Sequence, residues 1–379
     1  MNINSIEVSV VIPCLNEEET IGICLKKIQE VFSKDSIRGE IIVVDNGSTD
    51  KSAQIAQDGG ARVIPEPIKG YGAAYLKGLA EAQGKYIIMA DADNTYDFYD
   101  IPKFLNLLKD GYEFVIGNRF KGKIHKKAMP FLNRYVGNPV LSGLCKLFFK
   151  TKLSDFHCGM RGFTQEALKK MHLKCPGMEF ATEMVMVALQ EKLKTKEIPI
   201  EYYERKGESK LNPLSDGWRH LKFMLLFAPS WLYTVPGLSF TGLGLAILLI
   251  LAKGPLFFLG HTWDIHMVVF ASLSSIFGYQ LLNLGVYAKT FALKNQYIKE
   301  DKITLFFKNH FKLEAGLILG LLLLLLGIGL NIFIILEWLN KSFGALYRTR
   351  ESILAMTFMI LGLQTIFSSF FISLLNMER

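Results

Sequence analysis

Short apolar runs and amphipathic stretches alternate along the first 115 residues. The runs Val8–Pro13, Glu40–Asp45, Arg62–Ile64, Tyr86–Ala90 and Phe114–Gly117 read as strands, and the patterns near Glu17–Phe32, Asp50–Gln57, Gly72–Gln83 and Tyr99–Lys109 read as helices. This alternation predicts an α/β domain with a mainly parallel sheet and crossover helices. Beyond residue 222 the pattern changes. Stretches free of Asp, Glu, Lys and Arg run from Phe223 to Ala252, Ile265 to Ala288, Ala315 to Leu336 and Ser352 to Met377. Each exceeds the roughly 20 residues that cross a hydrocarbon core of about 30 Å. We expect an α/β domain over 1–225 and an all-α transmembrane domain over 226–379, its four helices at about 228–252, 265–290, 315–337 and 352–376.

Composition agrees with two domains. The chain has 379 residues, 50% of them hydrophobic and 21% charged, which excludes an intrinsically disordered protein. Its five cysteines form no C-x-x-C pair, so neither a zinc knuckle nor a disulfide framework is indicated. The N-terminal run lacks the basic segment of a cleavable signal peptide, so the first domain is expected in the cytosol. Lys289, Lys294, Lys299, Lys302, Lys308 and Lys312 fall between the second and third spans, and the positive-inside bias puts that loop on the cytosolic side. An even number of spans then leaves both termini cytosolic. Trp231, Trp263 and Trp338 lie near span ends, as interfacial anchors do.

The formal net charge is +8, and Phe114–Ser154 contains nine Lys/Arg and no Asp or Glu. Nucleic acid is one reading of such a patch. These cations, however, alternate with apolar groups such as Met129, Phe131, Leu144 and Phe148, a composition suited to amphipathic helices lying on a membrane. We expect interfacial helices near 125–150 and 213–226, and no nucleic-acid partner; a solvated charged face is the plainer alternative.

In an open α/β sheet the ligand sits beyond the carboxyl ends of the strands. Those ends carry Pro13, Asn16 and Glu17, then Asp45-Asn46-Gly47-Ser48-Thr49-Asp50, then Asp91-Ala92-Asp93. Neither a G-x-G-x-x-G fingerprint nor a Walker A lysine is present, which disfavours dinucleotide and P-loop chemistry. Two carboxylates one residue apart on a turn leaving a strand can share a divalent cation with substrate phosphates. A lone D-x-D is common in surface loops; Asp45 and Glu17 at neighbouring strand ends make it more specific.

The runs Val10-Val11-Ile12-Pro13-Cys14-Leu15-Asn16-Glu17-Glu18, Val43-Val44-Asp45-Asn46-Gly47-Ser48-Thr49-Asp50, Lys69-Gly70-Tyr71-Gly72-Ala73-Ala74 and Asp91-Ala92-Asp93 together resemble family-2 glycosyltransferases of GT-A fold, within them the polyprenyl-phosphate (dolichyl-phosphate mannose or glucose synthase) type. The resemblance covers roughly residues 7–230. It implies a Rossmann-like nucleotide-sugar-binding domain that passes one sugar, with inversion, from a UDP- or GDP-linked donor to a polyprenyl phosphate. It also implies nucleotide contacts at Pro13, Leu15, Glu17, Asp45, Lys69, Gly70, Asp91, Ala92 and Asp93, with Mg²⁺ or Mn²⁺ on Asp91 and Asp93. Asp155 would lie near the transferred sugar, Arg119, Arg134 and Asn138 near the acceptor phosphate, and Arg205 and Lys210 in a segment closing over the donor. Asp93, Asp155 and Arg119 are the catalytic candidates. The positions held here by Asn46 and Thr95 often carry Asp and Gln in the family, departures that fit the glucose-synthase branch better.

Other readings stay open at the level of sequence. A processive polysaccharide synthase would carry Q-x-x-R-W before its channel helices, whereas only Trp218-Arg219 is present. A lipid transporter with a degenerate binding domain fits less well with an intact Asp91/Asp93 pair, although polar Gln280, Asn283 and Gln364 lie in the spans. His157 is either a catalytic acid or a wall residue, and Glu179 with Glu183 either sugar contacts or a helix edge. Gly242, Gly244, Gly316, Gly320, Gly327 and Gly329 allow close helix approach, which leaves a homo-oligomer open.

Overall fold

The computed structural model describes residues 6–206, 213–294 and 313–376. The chain divides into two compact units, Met1–Met224 and Leu225–Arg379. In the first, strands β1 (Val8–Cys14), β2 (Gly39–Asp45), β3 (Arg62–Pro65), β4 (Tyr86–Met89), β5 (Phe114–Ile124), β6 (Arg161–Thr164) and β7 (Thr195–Tyr202) form one sheet in the order β3-β2-β1-β4-β6-β5-β7. β1 pairs in parallel with both β2 and β4, and β2 in parallel with β3. Only β6 runs antiparallel, between β4 and β5.

The central strands have to be apolar on both faces because helices cover both. Val8, Val10, Val11 and Ile12 are fully buried, as are Ile42, Val43 and Val44; burying each such side chain stabilises by roughly 1.5–3 kcal/mol. Helix α1 (Ile21–Lys34) buries Ile21, Cys24, Leu25, Ile28 and Val31, one face of a 3.6-residue period. It starts later than the sequence pattern suggests: Glu17 accepts from the backbone N–H groups of Thr20 and Ile21 in a turn that follows Asn16, whose φ is +53°. Helices α2 (Ser52–Asp58), α3 (Tyr71–Glu81) and α4 (Ile101–Lys109) complete the crossovers, and α5 (Asn138–Phe149), α6 (Gln165–Met171), α7 (Phe180–Gln190) and α8 (Pro213–Phe227) follow.

The second unit holds four apolar helical segments, Ser230–Leu251, Ile265–Lys294, Leu313–Asn340 and Thr349–Asn376. At 1.5 Å per residue these are roughly 33 to 45 Å long, enough to cross a bilayer. We label their helices α9 (Val235–Leu251, after a π-turn at Ser230–Thr234), α10 (Ile265–Lys294), α11 (Leu313–Asn340) and α12 (Thr349–Asn376). The first connection holds a hairpin absent from the sequence reading, β8 (Leu256–Phe258) with β9 (His261–Trp263). Leu248, Leu251, Val268 and Ala271 form a buried cluster between α9 and α10. Arg350 Nε bonds Asp264 Oδ1 at 3.0 Å near one end of the α10–α12 pair, and Lys294 Nζ donates to the Leu375 carbonyl at 3.0 Å at the other. Of the loop lysines that suggested an orientation, Lys299, Lys302, Lys308 and Lys312 lie outside the described residues.

Candidate active site

Strand order reverses between β1 and β4, and the register aligns Cys14 with Asp45 across β1 and β2. The turns leaving β1, β2 and β4 therefore open on one crevice, where a ligand of such a sheet is held. Side chains stitch these turns together. Thr49 N donates to Asn16 Oδ1 at 2.7 Å, Glu17 N to Ser52 Oγ at 2.7 Å, and Ser48 N to Asp45 Oδ1 at 3.1 Å. Asn46 fixes the next loop: its Nδ2 donates to the carbonyls of Glu66 (3.0 Å) and Ile68 (2.8 Å), and its Oδ1 accepts from Gly70 N (2.8 Å). An aspartate here would keep only the acceptor function. Pro13 and Gly70 are half-buried on these turns, while Lys69 is exposed.

Asp91 and Asp93 follow β4, with Ala92 buried between them. Asp91 Oδ1 accepts from the hydroxyls of Tyr71 (3.1 Å) and Tyr75 (3.2 Å). Asp93 Oδ1 accepts from Thr95 N (3.1 Å) and Oγ1 (2.6 Å). Burial, reinforced by the Asp93 charge, pushes the Asp91 carboxyl from its ordinary 3.8 up to about 7, although the two tyrosines and Arg205 pull the other way. Behind the pair, Gly159 comes so near that a Cβ there would lie 2.7 Å from Asp91 Oδ2.

That close approach links the turn after β4 to the Ser154–Arg161 loop. Asp155 is fully buried and holds Arg119 through both carboxylate oxygens, with Nε to Oδ2 at 2.8 Å and Nη2 to Oδ1 at 2.7 Å, while Arg119 N adds a third bond at 3.0 Å. The Arg119 guanidinium also lies over the Tyr202 ring, 5.2 Å from its centroid. The loop is pinned from below by Glu197, which accepts from Asp155 N (3.0 Å), Ser154 Oγ (2.9 Å) and Lys121 Nζ (2.8 Å). Burial opposes the Glu197 charge, but these bonds outweigh it and hold its carboxyl below the usual range. From inside, Arg161 donates to the carbonyls of Cys158 (2.8 Å), Ala181 (2.7 Å) and Phe156 (3.0 Å).

The chain after β7 returns across the crevice. Tyr202 bridges Tyr96, and Tyr203 N donates to the Thr95 carbonyl at 2.9 Å. Arg205 then spans two strand-end acids, with Nη2 2.6 Å from Glu17 Oε1 and Nη1 3.5 Å from Asp93 Oδ2. Lys210 lies outside the described residues. Arg134 and Asn138 make local contacts: Arg134 lies over the Tyr135 ring at 5.4 Å, and Asn138 Nδ2 meets Met129 Sδ at 3.5 Å. No hydrogen bond or ion pair joins either to Arg119 or Asp155 among the described residues.

His157 packs edge-on against His220, with ring centroids 4.6 Å apart, and neither of its ring nitrogens has a hydrogen-bond partner among the described residues. Burial, then the neighbouring His220, Arg119 and Arg161 charges, keep the ring neutral far below its usual titration range. Glu183 turns to the amides of Lys174 (3.0 Å) and Cys175 (2.9 Å) and so anchors a loop. Cys14, Cys24, Cys145 and Cys158 are buried, and burial pushes each thiol up to about 12, which leaves no thiolate nucleophile among them.

The sequence reading missed Tyr71, Tyr75, Glu197 and Arg161 as site supports. The two tyrosines stand four apart on α3, which looks like core packing; their only polar signal was the adjoining Lys69-Gly70 turn.

Comparison with known proteins bears on the whole chain. Residues 9–171 match the family described as Glycosyl transferase family 2, and residues 286–376 match the Glycosyltransferase family 2 C-terminal transmembrane region. The low-salt glycan biosynthesis hexosyltransferase Agl6 of Haloferax volcanii is 37% identical over 369 residues, covering 97% of this chain and 89% of that protein. A dolichyl-phosphate hexose transferase of the same organism is 34% identical over 212 residues, 56% of this chain and 89% of its own. An undecaprenyl-phosphate 4-deoxy-4-formamido-L-arabinose transferase of Edwardsiella ictaluri is 30% identical over 293 residues, 74% and 86% of the two chains. With likeness of that extent in both units, the chain belongs to glycosyltransferase family 2 and is an integral membrane glycosyltransferase.

Proposed function

We propose that the protein transfers one sugar from a nucleoside diphosphate sugar to a membrane polyprenyl phosphate, with inversion, at the cytosolic leaflet. The observation that carries this reading is the Asp91/Asp93 pair, half-buried and buried in turn, on the turn leaving β4. The names of the dolichyl-phosphate and undecaprenyl-phosphate relatives support the acceptor class. The apolar side chains that the segment around α5 exposes, Phe131 at 75% and Val140 at 55%, support an interfacial position for it.

The aspartates suit a divalent cation. Burial first, then the neighbouring Asp93 charge, opposes ionisation of Asp91, a penalty that a cation on the pair would relieve, and no third His, Cys, Asp or Glu joins them in a metal-sized cluster among the described residues. Asp91 and Asp93 would hold Mg²⁺ or Mn²⁺ and leave its other positions to the donor diphosphate. When bound, the ion neutralises charge on the departing nucleoside diphosphate. Pro13, Leu15, Glu17, Asp45, Lys69 and Gly70 form the nucleotide side of the crevice on this reading. The acceptor phosphate oxygen is already anionic at neutral pH and attacks the anomeric carbon as its bond to the diphosphate breaks, so no strong general base is required. Asp155 then acts by fixing Arg119, whose Nη1 is not engaged by Asp155 and remains for an acceptor oxygen, with Arg134 and Asn138 farther along the path.

The test is incubation of the purified protein with labelled UDP- and GDP-sugars and polyprenyl phosphate. Label from one donor is expected in the organic phase, carried by a lipid bearing a single sugar. A water-soluble product or a polymer would overturn the proposal.

From about pH 4 to pH 7 the folded chain keeps a proton on Asp91 that the unfolded chain has released, so stability falls as pH rises through that window. A cation must expel that proton, so its affinity should be roughly twentyfold weaker at pH 5.5 than at pH 7.5. Titrating Mn²⁺ against the thermal unfolding midpoint at both pH values checks this; equal midpoint shifts would refute it.

A further inference from the structure

The β8–β9 hairpin, which joins α9 to α10, holds no Asp, Glu, Lys or Arg between Leu256 and Trp263. Its register sets Leu256 opposite Trp263 and Phe258 opposite His261, so these four share one face of the ribbon and Phe257 lies on the other. The first face folds back along α9. Leu256, Phe258 and Trp263, with Ile247, Ile250 and Leu251 of the helix, line an apolar pocket of about 170 Å³. The Phe258 and Trp263 rings meet edge-on, 5.8 Å apart. Ile247 lies a full turn inside the end of α9, roughly 6 Å from Leu251. The hairpin therefore lies beside the last turn of a membrane-crossing helix and does not stand off its end.

The second face and the tip point away from the protein. Phe257 is 73% exposed and Leu259 77%, more than Leu243 midway along α9 at 66%. The tip is also conformationally costly: Leu259 has φ +53° and Gly260 φ +76°, the two positive values of a type I′ turn, whose first central position favours Asn, Asp or Gly. In water a leucine there would add an exposed apolar group to an unfavourable backbone, on a two-stranded ribbon that is marginal by itself. In hydrocarbon the first of those penalties vanishes. The apolar surface is continuous with that of the span, since Leu249 and Ile250 on the adjoining turn of α9 are exposed as well, so the acyl chains that cover α9 reach the hairpin. Depth is limited from the other side. The sheet has only two strands, and their outer edges carry backbone groups that need water; Asp264, bonded to Arg350, follows Trp263 directly. These constraints meet at the boundary between headgroups and acyl chains, where tryptophan also settles.

We propose that the β8–β9 hairpin is a lipid-binding element that lies along the bilayer surface and inserts Phe257 and Leu259 among the acyl chains of the leaflet at that end of the spans. The inference is independent of the sugar, the acceptor and the metal.

The full chain in phosphatidylcholine nanodiscs provides the test. Nitroxide labels are placed singly at Phe257→Cys, Leu259→Cys and, as the lipid reference, Leu243→Cys, in a Cys175→Ser background because the other four cysteines are buried. Collision with oxygen relative to a water-soluble nickel chelate is expected to be several-fold higher at 257 and 259 than for the free label in buffer, and to approach the value at 243. The wild type gives a readout that needs no variant: phosphatidylcholine with a diazirine on its acyl chain should crosslink to the peptide containing Leu256–Leu259. Preference for nickel at both positions would place the hairpin in water and overturn the proposal. Protection from both reagents, the mark of a contact with protein, would overturn it too, as would wild-type crosslinks confined to the helices.

Discussion

Changing Asp91 and Asp93 together to asparagine is expected to lower sugar transfer roughly a thousandfold. A bound divalent ion contributes several kcal/mol of charge stabilisation as the diphosphate departs, and about 4 kcal/mol corresponds to that factor. The substitution keeps side-chain volume, and an amide oxygen can still accept from Tyr71, Tyr75 and Thr95. The fold should therefore persist. At neutral pH without added metal the variant should unfold at a higher temperature than the wild type, because an ionised Asp91 is a cost that burial imposes. Measuring transfer and thermal midpoint on the same preparation separates the two effects. Transfer near the wild-type rate would remove the metal from the mechanism.

The second large effect is on stability. Asp155→Asn leaves the Arg119 guanidinium, 6% exposed, without its counter-charge. Breaking a buried pair by removing one partner costs about 3–5 kcal/mol, and for a unit of this size that lowers the unfolding midpoint by roughly 10 °C. All five cysteines belong to the first unit, and four are buried, so a thiol-reactive dye reports its unfolding in the presence of the membrane helices. Arg119→Met paired with Asp155→Leu should recover most of the lost stability but not transfer. If Asp155→Asn unfolds like the wild type, the pair does not hold the loop as its geometry indicates.

The parts of the fold that were legible in the sequence are those with local causes. Strands β1, β2 and β4 are short apolar runs that end in polar clusters, and their buried faces leave no other pattern available. Strand β5 is longer than its apolar run because Phe120–Lys123 is exposed, and it continues only by pairing with β7 across an irregularity. Strand β6 begins with Arg161, whose charge conceals a position satisfied by three carbonyls brought in from elsewhere. The site divides in the same way. Glu17, Asp45, Asp91 and Asp93 end or follow strands and could be read in order, whereas Glu197 and the two tyrosines act through partners 16 to 76 residues away in the chain, separations that periodicity does not encode.

Arg205 is the cation already resident in the crevice. Its guanidinium already occupies the space between Glu17 and Asp93. On the proposed reading, loading the crevice with a doubly charged ion is an exchange: one resident cation leaves Asp93 as another arrives, so the local charge rises by a single unit. The displaced arginine is then at liberty beside an incoming diphosphate, and the arrival of metal and the capture of donor become two halves of one swap.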